Sequence, residues 1–240
     1  MEIRPIISTD NVNKIFISGG ERIHALKDIT IDVMPGTLTV LKGRSGSGKT
    51  TLMNILGALD MPSNGRVFFD GRDITAMHEG QRDNLRRMHV GFVFQSVALI
   101  SLMSAYENVE YALRLSGMNR KLWRPRAEEC LSFIGLKSRM KHRPGELSGG
   151  EQQRVAIARA IAHRAKVIFA DEPTAELDTH MGLQVMKLFR ELVLKEGITI
   201  VMSTHDPNMM ELADHVYSLD DGAVVDETFN TFPDEGEVGA

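Results

Sequence analysis

The sequence predicts an α/β fold: a mainly parallel sheet with an antiparallel β subdomain beside it and an inserted α-helical subdomain. Three observations lead there. Parallel core strands are expected at 38–42, 91–94, 167–170 and 198–203, the last three being short apolar runs with the character of strands buried on both faces. Alternating runs before residue 42, and again at Val67-Phe68-Phe69-Asp70, have the period of half-buried antiparallel strands. Between Gln95 and about Gly145 helical periodicity takes over. The expected division is a single domain over 1–240. Its core, with the antiparallel β part, spans about 1–94 and 165–225, its helical subdomain about 95–164, and a flexible acidic tail about 226–240.

Taken in chain order, Ile15-Phe16-Ile17 and Ile29-Thr30-Ile31-Asp32-Val33 read as strands. Pro35-Gly36 turns the chain into the buried strand Thr37-Leu38-Thr39-Val40-Leu41. That strand runs into Gly43-Arg44-Ser45-Gly46-Ser47-Gly48-Lys49-Thr50, which matches G-x-x-x-x-G-K-[ST]. Helix follows at Thr51-Leu52-Met53-Asn54-Ile55-Leu56. The order strand, glycine-rich loop, helix is what an anion cradle requires. Glycines let backbone N–H groups turn toward one phosphate, and the helix start adds the positive end of its dipole. Lys49 supplies a point charge for the β/γ-phosphates and Thr50 a hydroxyl for Mg²⁺. The fold class is thus an α/β P-loop NTPase core.

Further along, Pro62-Ser63-Asn64-Gly65 is a turn before the strand at Val67. Arg82, Arg86 and Arg87 form a basic helical stripe, read as a solvated face. Helical segments are expected at Glu107 to Ser116 and Ala127 to Ile134. Leu147-Ser148-Gly149-Gly150-Glu151-Gln152-Gln153-Arg154 opens another helix. Ser148 and Glu151 have capping-box spacing, and the two glycines bare the backbone N–H groups of a second anion-binding helix start.

Val167-Ile168-Phe169-Ala170 ends in Asp171-Glu172. Ligands of open α/β sheets sit at the carboxyl ends of strands, so Asp171 is placed to hold Mg²⁺ and Glu172 to take a proton from an attacking water. Ile198 to Ser203 runs into Thr204-His205-Asp206-Pro207, which sets His205 on the same rim, with Asp206 as helix N-cap and Pro207 as first helical residue.

Bulk properties narrow the classes. The 240 residues are 42% hydrophobic and 25% charged, ordinary for a globular chain. A net charge of −4 gives no support for a nucleic-acid partner. A single cysteine, Cys130, excludes an internal disulfide and reads as a small core residue. The start, Met1-Glu2-Ile3-Arg4-Pro5, lacks a signal-peptide pattern, and no run approaches the ~20 apolar residues of a membrane span. The expected location is cytoplasmic. From Asp226, the acidic Glu227, Asp234, Glu235 and Glu237 read as a solvated, frayed end.

The phosphate loop, Gln95, Leu147 to Arg154, Asp171-Glu172 and His205 occur in the order found in ATP-binding cassette (ABC) ATPases, which the chain resembles from about Asn11 to Val225. Phe92-Val93-Phe94-Gln95, Glu107-Asn108-Val109 and Ala170-Asp171-Glu172-Pro173-Thr174 look like the subgroup of lipoprotein-release, macrolide-export and antimicrobial-peptide-resistance transporters.

The resemblance implies ATP and Mg²⁺ as cofactors and a role for each matching residue. Phe16 would stack on adenine. Gly43, Arg44, Ser45, Gly46, Ser47, Gly48, Lys49, Thr50 and Thr51 would bind the nucleotide, with Thr50, Gln95 and Asp171 around the metal. Ser148, Gly149 and Gly150 would meet the γ-phosphate held by a second copy. Glu172 would be the general base, with Lys49, Gln95 and His205 also at the reaction centre. Asp178, in Ala175-Glu176-Leu177-Asp178, would be the acidic member of the loop that crosses the dimer; Glu176 departs from the small or amide residue usual there.

The implied activity is ATP hydrolysis in a head-to-tail homodimer, coupled to transport. A separate membrane-spanning permease subunit would dock near Gln95 and Val97-Ala98-Leu99-Ile100 and hold the chain peripherally on the inner face of the membrane. The competing readings are a soluble ABC ATPase of the DNA-repair or cluster-assembly type, without a membrane partner, and a phosphate-loop kinase. The kinase reading leaves Leu147 to Arg154 unexplained.

Overall fold

The computed structural model describes residues 4–206 and 210–230. Two sheets share the molecule. The smaller is antiparallel, with β1 (Ile7–Ser18) between β2 (Glu21–Ile29) and β5 (Asn64–Phe69), the short β6 (Arg72–Asp73) beyond β5, and β3 (Asp32–Val33) paired to β1. The larger runs in the order β11 (Ala223–Phe229), β10 (His215–Asp220), β4 (Leu38–Lys42), β9 (Thr199–Thr204), β8 (Val167–Asp171), β7 (Val90–Val93). All its pairings are parallel except β10 with β11. The apolar runs seen in the sequence are these central strands. Helices cover them on one side and the small sheet with α1 (Lys49–Leu56) covers them on the other, so both faces are buried.

One core cluster joins Leu38, Val40, Ile168 and Ile200 of the large sheet to α3 (Ala105–Leu115), α4 (Arg120–Phe133), α5 (Gly149–Ile161) and α6 (Thr179–Glu196). The other joins Leu41, Phe169 and Val201 to α1 and to Ile7, Leu26 and Phe69 of the small sheet. Alternate residues of each strand thus serve opposite cores.

Several expectations need correction. The run 29–33 is not one strand. Asp28 turns at φ 49°, and the buried Thr9 hydroxyl donates to Ile29 O (3.1 Å) while accepting the Ile31 N–H (2.8 Å), which ends β2 before β3 begins. The helix expected from Ala127 begins at Arg120, because Asn119 caps it by accepting the Lys121 N–H (3.0 Å) and Pro125 removes only one helical bond.

The arginine stripe lies on α2 (Glu79–His89) and is not freely solvated. Arg86 bonds Glu79, Asp83 and the Ala58 carbonyl, and Arg82 bonds Glu79. The expected frayed end from Asp226 is, through Phe229, an edge strand. Asp226 pairs with Ser218 and Glu227 with Tyr217, and Glu227 Oε1 lies 2.9 Å from His215 Nε2. Its exposed acidic side chains suit a sheet edge.

Met1-Glu2-Ile3, Pro207 and the rest of the tail, with Asp234, Glu235 and Glu237, lie outside the described residues. Cys130 is a buried core residue whose thiol desolvation pushes up to about 11. Among the described residues no helix is long and apolar enough to cross a membrane.

Candidate functional site

Strand order assembles the site. Lys42 pairs with Thr204, Ser203 with Asp171, and Ala170 with Val93, so the carboxyl ends of β4, β9, β8 and β7 finish on one rim. Each strand then brings an expected site residue there: the glycine-rich loop after β4, Asp171-Glu172 at the end of β8, His205 after β9 and Gln95 after β7. A cavity of about 650 Å³ opens at this rim, lined by Arg44, Ser45, Gly46, Gly48, Lys49, Thr50, Thr51, Gln95, Asp171, Glu172 and His205, together with Ala25 and Ala175.

The loop owes its shape to its glycines. Gly46 and Gly48 have φ of 82° and 101°, and a Cβ on Gly48 would lie 2.7 Å from Ala25 O and 2.9 Å from Leu26 Cδ2. Gly48 is the N-cap of α1, which has neither a side-chain cap nor an acidic residue in its first turn, so its leading N–H groups face the cavity uncompensated. Lys49, nearly buried, curls over the loop and donates to Gly43 O (2.7 Å) and Arg44 O (3.1 Å), with Glu172 Oε1 3.9 Å away. Ser47 is buried and its Oγ has no hydrogen-bond partner among the described residues.

Thr50 Oγ1 donates to Asp171 Oδ2 (2.9 Å), and Gln95 lines the same cavity. Hydroxyl, carboxylate and amide oxygens on one wall are the hard-oxygen donors that Mg²⁺ takes, so these residues fit that ion.

The carboxylates are held from β9. Ser203 is fully buried; its hydroxyl donates to Asp171 Oδ1 (2.5 Å) and accepts the Glu172 N–H (2.9 Å). Glu172 sits at φ 45°, a strained conformation for a non-glycine residue, and such strain gathers at functional positions. Its Oε2 lies 2.9 Å from Nδ1 of the exposed His205. Sequence reasoning missed Ser203. Its only signal is a polar side chain directly after the apolar run Ile200-Val201-Met202.

Other expected residues stand apart from the cavity. Phe16 is on β1 paired with Ile23, part-exposed, with Lys14 Nζ 4.9 Å from its ring centroid. Ser148, Gly149 and Gly150 begin α5. Ser148 Oγ accepts the Glu151 N–H (3.2 Å) and Glu151 Oε2 accepts the Ser148 N–H (2.8 Å), the reciprocal cap the spacing announced. Those bonds hold the Glu151 carboxyl below its ordinary pKa. Gly150 packs under Met181, whose Cε a Cβ there would meet at 2.0 Å. Asp178 is the N-cap of α6, accepting the Met181 N–H (2.9 Å).

A second, larger hollow of about 820 Å³ lies behind Gln95, between α2, β7, α3 and α5. Phe92, Phe94, Ile100, Tyr111 and Leu115 make it apolar, while Arg86, Arg87 and Arg159 border it.

A parallel sheet that carries a glycine-rich anion loop, a threonine–aspartate pair and a glutamate on one rim defines a nucleoside-triphosphate-binding P-loop protein. A family profile described as ABC transporter matches residues 26–175. The chain belongs to the ABC transporter family.

It is 43% identical to an uncharacterized ABC transporter ATP-binding protein of Methanocaldococcus jannaschii, over 92% of this chain and 98% of that one. It is 42% identical to the macrolide export ATP-binding/permease protein MacB of Hahella chejuensis, over 94% of this chain. The chain spans only 34% of the length of that relative. Among solved structures, a dimeric ATP-binding cassette in a post-hydrolysis state bound to ADP and Pi superposes with a TM-score of 0.87. It is 39% identical over 94% of this chain and 100% of that chain.

Proposed function

We propose that this cassette hydrolyses ATP in a head-to-tail pair of identical copies and uses the cycle to drive a membrane-spanning subunit. One observation carries the reading. Among the described residues, the α5 start at Ser148, Gly149 and Gly150 does not line the nucleotide cavity of its own chain, although it is capped and glycine-bared in the manner of an anion site. A second copy, related by a two-fold axis, brings that helix start to the γ-phosphate. The dimeric state of the ADP- and Pi-bound cassette described above supports this arrangement.

Within each half, Gly43 to Thr51 hold the phosphates and Phe16 takes the adenine ring. Thr50, Asp171 and Gln95 would hold Mg²⁺, which when bound neutralises phosphate charge. Glu172 accepts the proton of the attacking water, with His205 beside it and Lys49 opposite. Ser148 and Gly150 of the other copy donate to the γ-phosphate, and Asp178 lies in the loop that crosses the dimer. Charge between Lys49 and the opposing helix start is strengthened by exclusion of water. Hydrolysis removes the shared γ-phosphate and releases the copies.

The hollow behind Gln95 is the seat for the membrane subunit. Its apolar lining and bordering arginines fit a short amphipathic helix carrying a carboxylate, and Ala98 and Ile100 reach it from the loop that carries Gln95. Fusion of cassette and permease in the MacB relative supports such a partner. The chain then lies peripherally on the cytoplasmic face of the membrane, and the partner chooses the cargo.

Glu172→Gln tests the reading. Hydrolysis is expected to fall by about 10²–10⁴-fold, the share of a general base, while ATP drives the variant into a stable dimer on gel filtration. Wild-type turnover in the variant, or a monomer at saturating ATP, would refute it.

A further inference from the structure

The segment after β7 separates the two hollows. Gln95 lines the nucleotide cavity, and Phe94, Ala98 and Ile100 line the apolar one. Between them Val97 and Ala98 have φ of 45° and 48°. Two successive non-glycine residues in the left-handed region, one of them β-branched, persist only where the surroundings impose that shape.

The Val97 N–H donates to Phe94 O (3.1 Å) and Val97 packs against the helix-side core, and one further side chain fastens the turn. Arg159 of α5 donates through Nη1 to Ala98 O (2.6 Å) and through Nη2 to Val97 O (3.2 Å). Its guanidinium is half-buried and pairs with no carboxylate among the described residues, and desolvation pushes its pKa down. A cation held in a partly apolar setting by two carbonyls alone is not explained by helix formation or by core packing.

We propose that Arg159 is a positioning residue: it clasps the Val97–Ala98 backbone and thereby sets where Gln95 stands in the nucleotide cavity. Arg159 and the Ser148–Gly150 start share one helix. Any displacement of α5 therefore carries the Gln95 segment and one wall of the apolar hollow with it. Three places are mechanically joined: the contact with the second copy's nucleotide, the metal-side glutamine and the seat of the membrane subunit. The proposal rests on the reading of Gln95 as a contact to metal and attacking water.

The test uses the full chain in four variants: Arg159→Met, Arg159→Lys, Gln95→Ala, and Arg159→Met combined with Val97→Gly and Ala98→Gly. The readouts are kcat, KM for ATP, the Mg²⁺ concentration for half-maximal rate, and Tm. Arg159→Met is expected to lower kcat by about 10- to 100-fold, the scale of a misplaced catalytic group, and to raise the Mg²⁺ requirement while KM for ATP stays within about twofold. Arg159→Lys, which keeps one donor, falls between. The glycine pair recovers kcat, because glycine adopts the left-handed shape without the clasp.

Wild-type kcat and Mg²⁺ requirement in Arg159→Met would overturn the proposal. So would a loss that follows Tm and is not recovered by the glycine pair. A silent Gln95→Ala would instead remove the reading beneath it, whereas a slow Gln95→Ala beside a wild-type Arg159→Met would remove the clasp alone.

Discussion

Replacing Ser203 by alanine tests how the two acidic residues are held. The serine hydroxyl is fully buried and is used twice, as donor to Asp171 Oδ1 at 2.5 Å and as acceptor for the Glu172 N–H at 2.9 Å. Alanine removes both bonds and adds no new group. The Glu172 N–H becomes a part-buried donor that has lost its partner, at a residue whose φ is already 45°. Leaving a donor unsatisfied costs about 1–3 kcal/mol when it is buried, and that range bounds the loss here from above.

If that cost falls on the geometry of Glu172 in the transition state, kcat drops by roughly 5- to 150-fold, at ~1.4 kcal/mol per factor of ten. KM for ATP stays near wild type, because the phosphate contacts proposed above are those of the loop and Lys49. Steady-state ATPase rates across an ATP series at 25 °C measure this, with a thermal melt to show that the variant is folded. In a chain of this size a loss of that magnitude lowers Tm by about 2–12 °C. A folded Ser203→Ala variant with kcat within twofold of wild type would show that β9 does not orient the base.

Lys49→Ala is expected to abolish tight ATP binding, measured by fluorescent-nucleotide titration, since among the described residues no other cation is buried under the loop. Ser148→Arg places a bulky cation at the α5 start. It should block turnover while a single chain still binds ATP, and a normal rate would contradict the shared site. Desolvation lowers the pKa of both His163 and His89 below the ordinary 6.5. The unfolded chain therefore binds more protons just below that value: stability is complete above pH 6.5 and is lost as pH falls toward the folded values. His163→Asn should flatten the change in urea midpoint between pH 7.5 and 5.5, and an unaltered slope would place its source elsewhere.

Much of the chemistry was legible along the chain because it is local. A loop that wraps phosphate needs glycines at left-handed positions and a lysine at a helix start, and both demands fall within eight consecutive residues, Gly43 to Thr50. The reciprocal cap between Ser148 and Glu151 is likewise a matter of four neighbours, and it formed as the spacing announced. The central strands showed themselves through apolar runs, since burial on both faces leaves no room for polar alternation.

Pairings across long separations were hidden. Nothing near Ser203 in sequence says that it will face Asp171, which is brought beside it only because β8 and β9 are neighbours. The edge strand through Asp226 and Glu227 looked like a solvated tail, because a strand with polar exposed positions has no apolar signature of its own and exists through its pairing with β10. The same holds for Arg159: its residue type suits any helix surface, and its partners are carbonyls some sixty positions away. Residue types and short spacings thus settled which chemistry this chain performs, since conformational demands of a loop or cap are met by adjacent residues. Strand order settled where that chemistry is assembled and how its acids are held, because the burial of two sheet faces is a property of the whole chain.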